Sequence, residues 1–279
     1  MTEIIQYANG KKIEIVPLLN MPGHMDGILS TSTYSKYRLK GTVNGEERYD
    51  GSLDLNNTDA VDFGKKLLSM YVEYFTKQGC KFFNFGADEY GQGIRNPYIE
   101  SNVAKVSYSQ LINYMNACAD IIENAGMTAR CFNDFVCYNR RTDCELKKSV
   151  QVCYWSNQWN GSEYNTVDVI NNAGYKLINT NQKWYFVPSK ANEYSKATVL
   201  ANFKTFDVTK FQYITNGKYN PTSTTYITIN DSSNVGAMFC VWCDEPSAAV
   251  DLSDVKELIA AMADANPTYF TKVTIPNTT

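Results

Sequence analysis

Lys81-Phe82-Phe83-Asn84-Phe85-Gly86-Ala87-Asp88-Glu89-Tyr90 is the stretch on which the reading of the fold turns. Its first five residues alternate apolar side chains, as a buried β-strand does, and the Gly-Ala step marks where the strand stops. Two adjacent carboxylates follow. Along a strand neighbouring side chains point to opposite faces, but where the backbone turns both acids can reach one pocket. α/β barrels keep their catalytic groups at strand ends, and breaking a glycosidic bond needs a carboxyl that donates a proton beside a second charged group.

Outward from this stretch, strand-like and helical patterns alternate. Residues 12–19, 127–132, 149–154, 175–179 and 236–241 read as five further strands. Apolar spacing at Val61, Leu67, Leu68, Tyr71, Val72 and Phe75 predicts a helix over 59–77. Ser107 and Gly126 bracket a second helix, and 164–173 and 253–264 read as two more. Residues 34–50 read as a solvated polar loop with turns at Asn44-Gly45 and Asp50-Gly51 and no function of its own. The Asn/Thr-rich stretch 188–233 reads as a short helix plus an irregular excursion. Six βα units predict an α/β fold with a parallel sheet, doubly wound or barrel, in a single domain over 1–279. No Gly-rich loop opens a helix, which argues against a nucleotide-binding sheet.

A chain of 279 residues with 44% hydrophobic content can bury a sizeable core. Its net charge of −3 points neither to nucleic acid nor to an anionic membrane. No apolar run approaches the roughly 18 residues of a membrane span, and the N-terminus shows no signal-peptide pattern. Cys80, Cys131, Cys153 and Cys240 sit in or beside apolar runs, where free thiols act as small hydrophobes. Cys240-Val241-Trp242-Cys243 lacks the second pair of a zinc site, and His24 is the sole histidine, so no metal and no other cofactor is expected. Twenty Tyr and four Trp supply flat rings with polar tips, which suit sugars as well as cores.

Functional-looking side chains gather at the C-terminal ends of the expected strands: Asn20 and His24, Asn84 with Asp88 and Glu89, Asn133 and Asp134, Trp155, Trp184 and Tyr185, Trp242 and Asp244. Acids and tryptophans at one end of a parallel barrel make a carbohydrate site the leading reading. Asn20-Met21-Pro22-Gly23-His24 resembles the Asp-Met-Pro-Gly-His turn of family 20 glycoside hydrolases, the β-N-acetylhexosaminidases. Asn84-Phe85-Gly86-Ala87-Asp88-Glu89 is similar to their His-x-Gly-Gly-Asp-Glu signature. Val152-Cys153-Tyr154-Trp155, Trp184-Tyr185 and Val241-Trp242-Cys243-Asp244 follow in the family's order. The likeness runs from about Ile4 to Asn266 and is strongest to the catalytic domains of streptococcal cell-surface β-N-acetylglucosaminidases.

The resemblance implies a TIM (β/α)8-type barrel and a retaining exo-β-N-acetylhexosaminidase in which the substrate's own acetamide is the nucleophile. Glu89 would be the general acid, Asp88 would hold the acetamido N–H, and Tyr185 would orient its oxygen. Trp155, Trp184 and Trp242 would box the sugar, and Asp244 would bind its hydroxyls. Asn133 and Asp134 would belong to the pocket, and His24, Asn20 and Asn84 would brace the acids. The implied partner is a glycan with terminal N-acetylhexosamine, and relatives suggest a secreted or cell-surface bacterial location.

The chain also departs from the family pattern. Residues 4–9 resemble the end of the second barrel helix, so the first two strands, one of which carries a sugar-binding arginine, are expected to be missing. Val187 stands where many relatives have an acid. The open edges of a six-strand barrel are expected to be completed by a longer chain, by pairing of residues 269–275, or by a second copy as a homodimer. Lacto-N-biosidase activity and a non-catalytic carbohydrate-binding protein are the rival readings.

Overall fold

The structure, a computed structural model, describes residues 1–94, 105–138, 141, 143–155, 166–188, 190–215, 218–219, 225–243, 250–265 and 267. Helices α1 (Thr2–Gly10) and α2 (Asp26–Leu29) precede an antiparallel hairpin of β1 (Arg38–Val43) and β2 (Glu46–Leu53). The hairpin replaces the polar loop expected over 34–50. Its turn is Asn44-Gly45, with φ of 53° and 82°. Two consecutive positive φ values match the twist of an antiparallel pair, and Asn-Gly is the dipeptide that reaches them at least cost.

α3 (Thr58–Lys77) begins where the Asn57 side chain accepts from the amides of Asp59 and Ala60. It buries Ala60, Gly64, Leu68 and Val72, one residue per turn along a single stripe. β3 (Phe82–Asn84) follows, then α4 (Tyr108–Asn124), whose Ser107 and Gln110 form a reciprocal capping box. The two helices meet at Gly64, where a Cβ would stand 2.3 Å from the Tyr114 hydroxyl, so the close approach needs a residue without one.

Beyond α4 come β4 (Thr128–Phe132), β5 (Gln151–Tyr154), α5 (Val167–Asn172), β6 (Lys176–Asn179) and β7 (Tyr185–Phe186). α6 (Lys196–Phe203), β8 (Lys210–Thr215), β9 (Lys218–Tyr219) and β10 (Tyr226–Thr228) occupy the stretch read as irregular. β11 (Asn234–Ala237), β12 (Cys240–Val241) and α7 (Leu252–Ala265) complete the described elements.

Five strands form one parallel sheet in the order β11-β6-β5-β4-β3, and β12 pairs in parallel with β7. β6 and β7 are thus two halves of one pass, split by the short helical turn Gln182–Trp184, and the strand expected over 236–241 is split to match. Residues 17–21 run beside the free edge of β3. Asn84 N–H donates to Pro17 O, Leu19 N–H to Asn84 O, and Met21 N–H to Phe85 O.

Residues 12–19 nevertheless form only one bridge, Leu18 with Asn84, and not the strand expected there. Among the described residues nothing pairs on the outer side, and Ile13 and Leu18 are 50% and 46% exposed. Among the described residues, six parallel passes in chain order make an incomplete α/β barrel. Residues 269–275 lie outside the described ones. The main core fills the space between the sheet and α3 and α4, and a second cluster of Trp184, Phe186, Val199, Phe203, Leu258 and Met262 joins β7 to α6 and α7. No helix among the described residues is long and apolar enough to cross a membrane.

Candidate active site

β3 ends in a turn of left-handed backbone. Asn84 Oδ1 accepts the Gly86 N–H at 2.8 Å, and Gly86, Ala87 and Glu89 all take left-handed φ, at 75°, 64° and 47°. A Cβ on Gly86 would stand 2.0 Å from Asn20 Oδ1, so glycine is required twice over. Two non-glycine residues in this region cost of order 1–3 kcal/mol each, and the surrounding hydrogen bonds hold them there. The result is that Asp88 and Glu89, neighbours in sequence, face the same cavity.

The polar residues around them form a connected brace. Asn20 Nδ2 donates to Asp88 Oδ1 at 2.7 Å, and its Oδ1 accepts the Ala87 N–H at 3.2 Å. His24 Nε2 lies 3.1 Å from Glu89 Oε2 and 3.8 Å from Asp88 Oδ2. Gln92 Nε2 donates to Glu89 Oε1 at 3.1 Å. Asp134 accepts from the Glu89 amide at 3.2 Å and, through its other oxygen, from Trp155 Nε1 at 2.6 Å. Asn133 Oδ1 accepts the Trp155 N–H at 2.8 Å. Asp134 therefore ties the acid pair to the aromatic side of the cavity.

That side is built from rings. Trp155 and Tyr185 stack with centroids 6.3 Å apart and an interplanar angle of 16°. Trp242 lies 5.9 Å from Tyr185, tilted by 59°, and 6.4 Å from Phe132. The buried Trp242 Nε1 has no hydrogen-bond partner among the described residues. Acids and rings enclose a cavity of about 580 Å³, within the range of small-molecule sites.

Electrostatics follow from burial. The His24 imidazole is raised to about 9, above all by its hydrogen bond to Glu89, so it carries a proton at neutral pH. Burial pushes the Asp88 carboxyl up, and the charged His24 opposes that shift. Asp134 is pushed well up by burial and then by the Asp88 charge. Burial also raises the Tyr185 phenol far above its usual value, which keeps it a neutral donor. His24, Asp88 and Glu89 bring one ligand atom each within 4.8 Å of one another, a grouping able to hold a metal ion, yet their mutual contacts already engage all three.

Of the residues expected at the site, Asn20, His24, Asp88, Glu89, Trp155, Tyr185 and Trp242 line the cavity. Asn84, Asn133 and Asp134 are buried behind it. Trp184 corrects the expectation of a sugar-boxing ring. It is 0% exposed and packs in the second core cluster, 6.0 Å from Phe203 and 4.8 Å from Phe206. Adjacent residues entering a strand face opposite sides, so with Tyr185 turned to the cavity Trp184 turns to the helices. Asp244 lies outside the described residues. Sequence reasoning missed Leu18, Phe132, Lys190, Asn192 and Tyr194, which line the cavity, and Gln92, which holds Glu89. Phe132 was detectable as the last apolar residue of its strand, whereas Gln92 carries no signal beyond lying three residues after Glu89.

The model of glycosyl hydrolase family 20, catalytic domain, matches residues 1–255. A lacto-N-biosidase of Bifidobacterium bifidum is 26% identical over 193 residues, 66% of this chain but 16% of that protein. Among solved structures, the tandem catalytic modules of the pneumococcal exo-β-D-N-acetylglucosaminidase StrH are similar at a TM-score of 0.78 and 28% identity, over 96% of this chain and 63% of that one. Dispersin B shares the fold at a TM-score of 0.70 and 19% identity, over 97% of this chain and 76% of its own. The chain therefore spans less than two thirds of the length of the StrH module and a small part of the lacto-N-biosidase.

Proposed function

Because the chain belongs to glycosyl hydrolase family 20, we propose that it is built to release terminal β-linked N-acetylhexosamine with retention of configuration, using the substrate's acetamide as nucleophile. The observation that carries this reading is one cavity holding Asp88 and Glu89 on one side and Trp155, Tyr185 and Trp242 on the other. The rings would seat the sugar and its N-acetyl methyl, and the Tyr185 hydroxyl would donate to the acetamido oxygen. That oxygen attacks the anomeric carbon as the bond to the leaving oxygen breaks. Glu89 hands its proton to the leaving oxygen, and Asp88 holds the acetamido N–H as positive charge develops on the oxazolinium. Water then adds to the anomeric carbon, giving a proton to Glu89, and the acetamide is restored.

The chemistry gains from both walls. Locking the acetamide rotamer turns nucleophilic attack into an intramolecular event. Acid catalysis is worth roughly 10²–10⁴-fold. The protonated His24 imidazole stands within hydrogen-bond reach of Glu89, the acid that must deliver a proton. Glu89→Gln tests the reading: turnover of a nitrophenyl β-N-acetylglucosaminide falls by about 10²–10⁴, while N-acetylglucosamine still binds by calorimetry. Unchanged turnover would end the proposal, and a wild type that binds N-acetylglucosamine but turns over no glycoside would favour a carbohydrate-binding role.

The lacto-N-biosidase relative supports a second reading, release of a disaccharide. Side-by-side assay of aryl glycosides of N-acetylglucosamine and of lacto-N-biose separates the two. A secreted or cell-surface location belongs to the same proposal and is tested by fractionating the source cells.

A further inference from the structure

A second, smaller cavity of about 250 Å³ adjoins the first, and His24 and Glu89 line both. Asp88 and the rings face only the larger cavity, whereas Gln92, Asp26, Arg38 and Tyr49 face only the smaller one. Glu89 thus stands at the wall between them, with Oε2 toward His24 and Oε1 held by Gln92. A general acid touches the leaving oxygen. With the N-acetylhexosamine seated among the rings, whatever is attached through that oxygen extends to the other side of Glu89.

The far side of the smaller cavity is the β1–β2 hairpin. Arg38 donates through Nε to Asp50 O at 3.1 Å and lies 3.6 Å from Asp26 Oδ1, which fixes the hairpin against α2. Tyr49 is 46% exposed and lies under the Arg38 guanidinium at 5.8 Å. We propose that Arg38 and Tyr49 form the leaving-group subsite and that it takes a single neutral hexose. This rests on the glycosidase reading above and specifies its substrate on the leaving side.

Size and charge decide the class. A cavity of about 250 Å³ is below the range of about 300–1,000 Å³ typical of drug-sized ligands, and accommodates one ring rather than an extended oligosaccharide. Two basic side chains, His24 and Arg38, stand against three acidic ones, Asp26, Asp50 and Glu89, so the lining offers no cationic excess for a sulfated or sialylated leaving sugar. Hydroxyl-rich neutral rings suit an amphipathic tyrosine beside forked guanidinium donors.

The experiment compares kcat/KM for N-acetylglucosaminyl-β-hexose disaccharides of several linkages with kcat/KM for the nitrophenyl glycoside, in the wild type, Tyr49→Ala and Tyr7→Ala. Tyr7 is a more exposed ring, on α1, that lines neither cavity. In Tyr49→Ala the disaccharide-to-aryl ratio of the best disaccharide falls roughly tenfold through a raised KM, while Tyr7→Ala keeps the wild-type ratio. A ratio unchanged in Tyr49→Ala, with both substrates still turned over, overturns the subsite alone. Failure of the wild type on every substrate instead overturns the glycosidase reading, and the subsite with it.

Discussion

The wall that carries Asp88 and Glu89 and the wall that carries Trp155, Tyr185 and Trp242 face each other across one cavity, but different forces hold them. The acid wall is a turn of left-handed residues fixed by directional bonds from Asn20, His24, Gln92 and Asp134. The ring wall is packed, with centroid spacings near 6 Å and a buried indole donor that no described residue satisfies. Directional bonds fail when one atom changes, whereas packing responds to volume. Isosteric polar changes should therefore cripple the acid wall, and truncations should tune the ring wall.

After Glu89→Gln, the largest effect expected is from Asp88→Asn. It keeps the volume and removes the carboxylate that the proposed mechanism sets against the acetamido nitrogen, so kcat/KM on an aryl N-acetylglucosaminide should fall by about 10²–10³ with the thermal transition little changed. A loss below tenfold would mean that the acid wall is no more demanding than the ring wall. Next is Gly86→Ala, which forces a Cβ onto Asn20 at a φ of 75°. It should cost about 1–3 kcal/mol in urea unfolding, and a neutral result would show that the turn is softer than its contacts indicate.

Trp242→Ala probes the opposite wall. Loss of one aromatic contact of about 0.5–1.5 kcal/mol should raise KM two- to tenfold and leave kcat nearly intact; a fall confined to kcat would place this ring in the chemistry. The smallest effect is electrostatic. The folded-state pKa of His24 is raised from 6.5 to about 9, so its contribution to stability is complete below pH 6.5 and lost as pH rises through about 9. With its side chain 40% exposed, solvent screening limits this to under about 1 kcal/mol. Denaturation midpoints across that window should decline more in the wild type than in His24→Gln, and parallel curves would remove the His24–Glu89 pair from the stability of the acid wall.

Some of this was readable from local chemistry. The helices that became α3 and α4 announced themselves by spacing and caps, and β3 by its alternation before Gly86. The β1–β2 hairpin also had a local signal in Asn44-Gly45, but its charged residues disguised two strands as a loop. Residues 12–19 misled in the other direction: apolar composition predicted a strand, although a full strand there depends on a neighbour on the outer side.

What the sequence determined alone is the pairing of Asp88 with Glu89 at a strand end, because a glycine, its short neighbour and two acids dictate a turn within a few residues. Which rings join them was decided by the tertiary structure. Trp184 and Tyr185 are adjacent, and alternation requires them to face opposite ways, but only the packing of β7 between the cavity and α6 sends the tyrosine inward and the tryptophan to the core. The same holds for Arg38 and Tyr49, about fifty and forty residues before Glu89 in sequence, whose shared cavity with it exists only once the hairpin folds against α2.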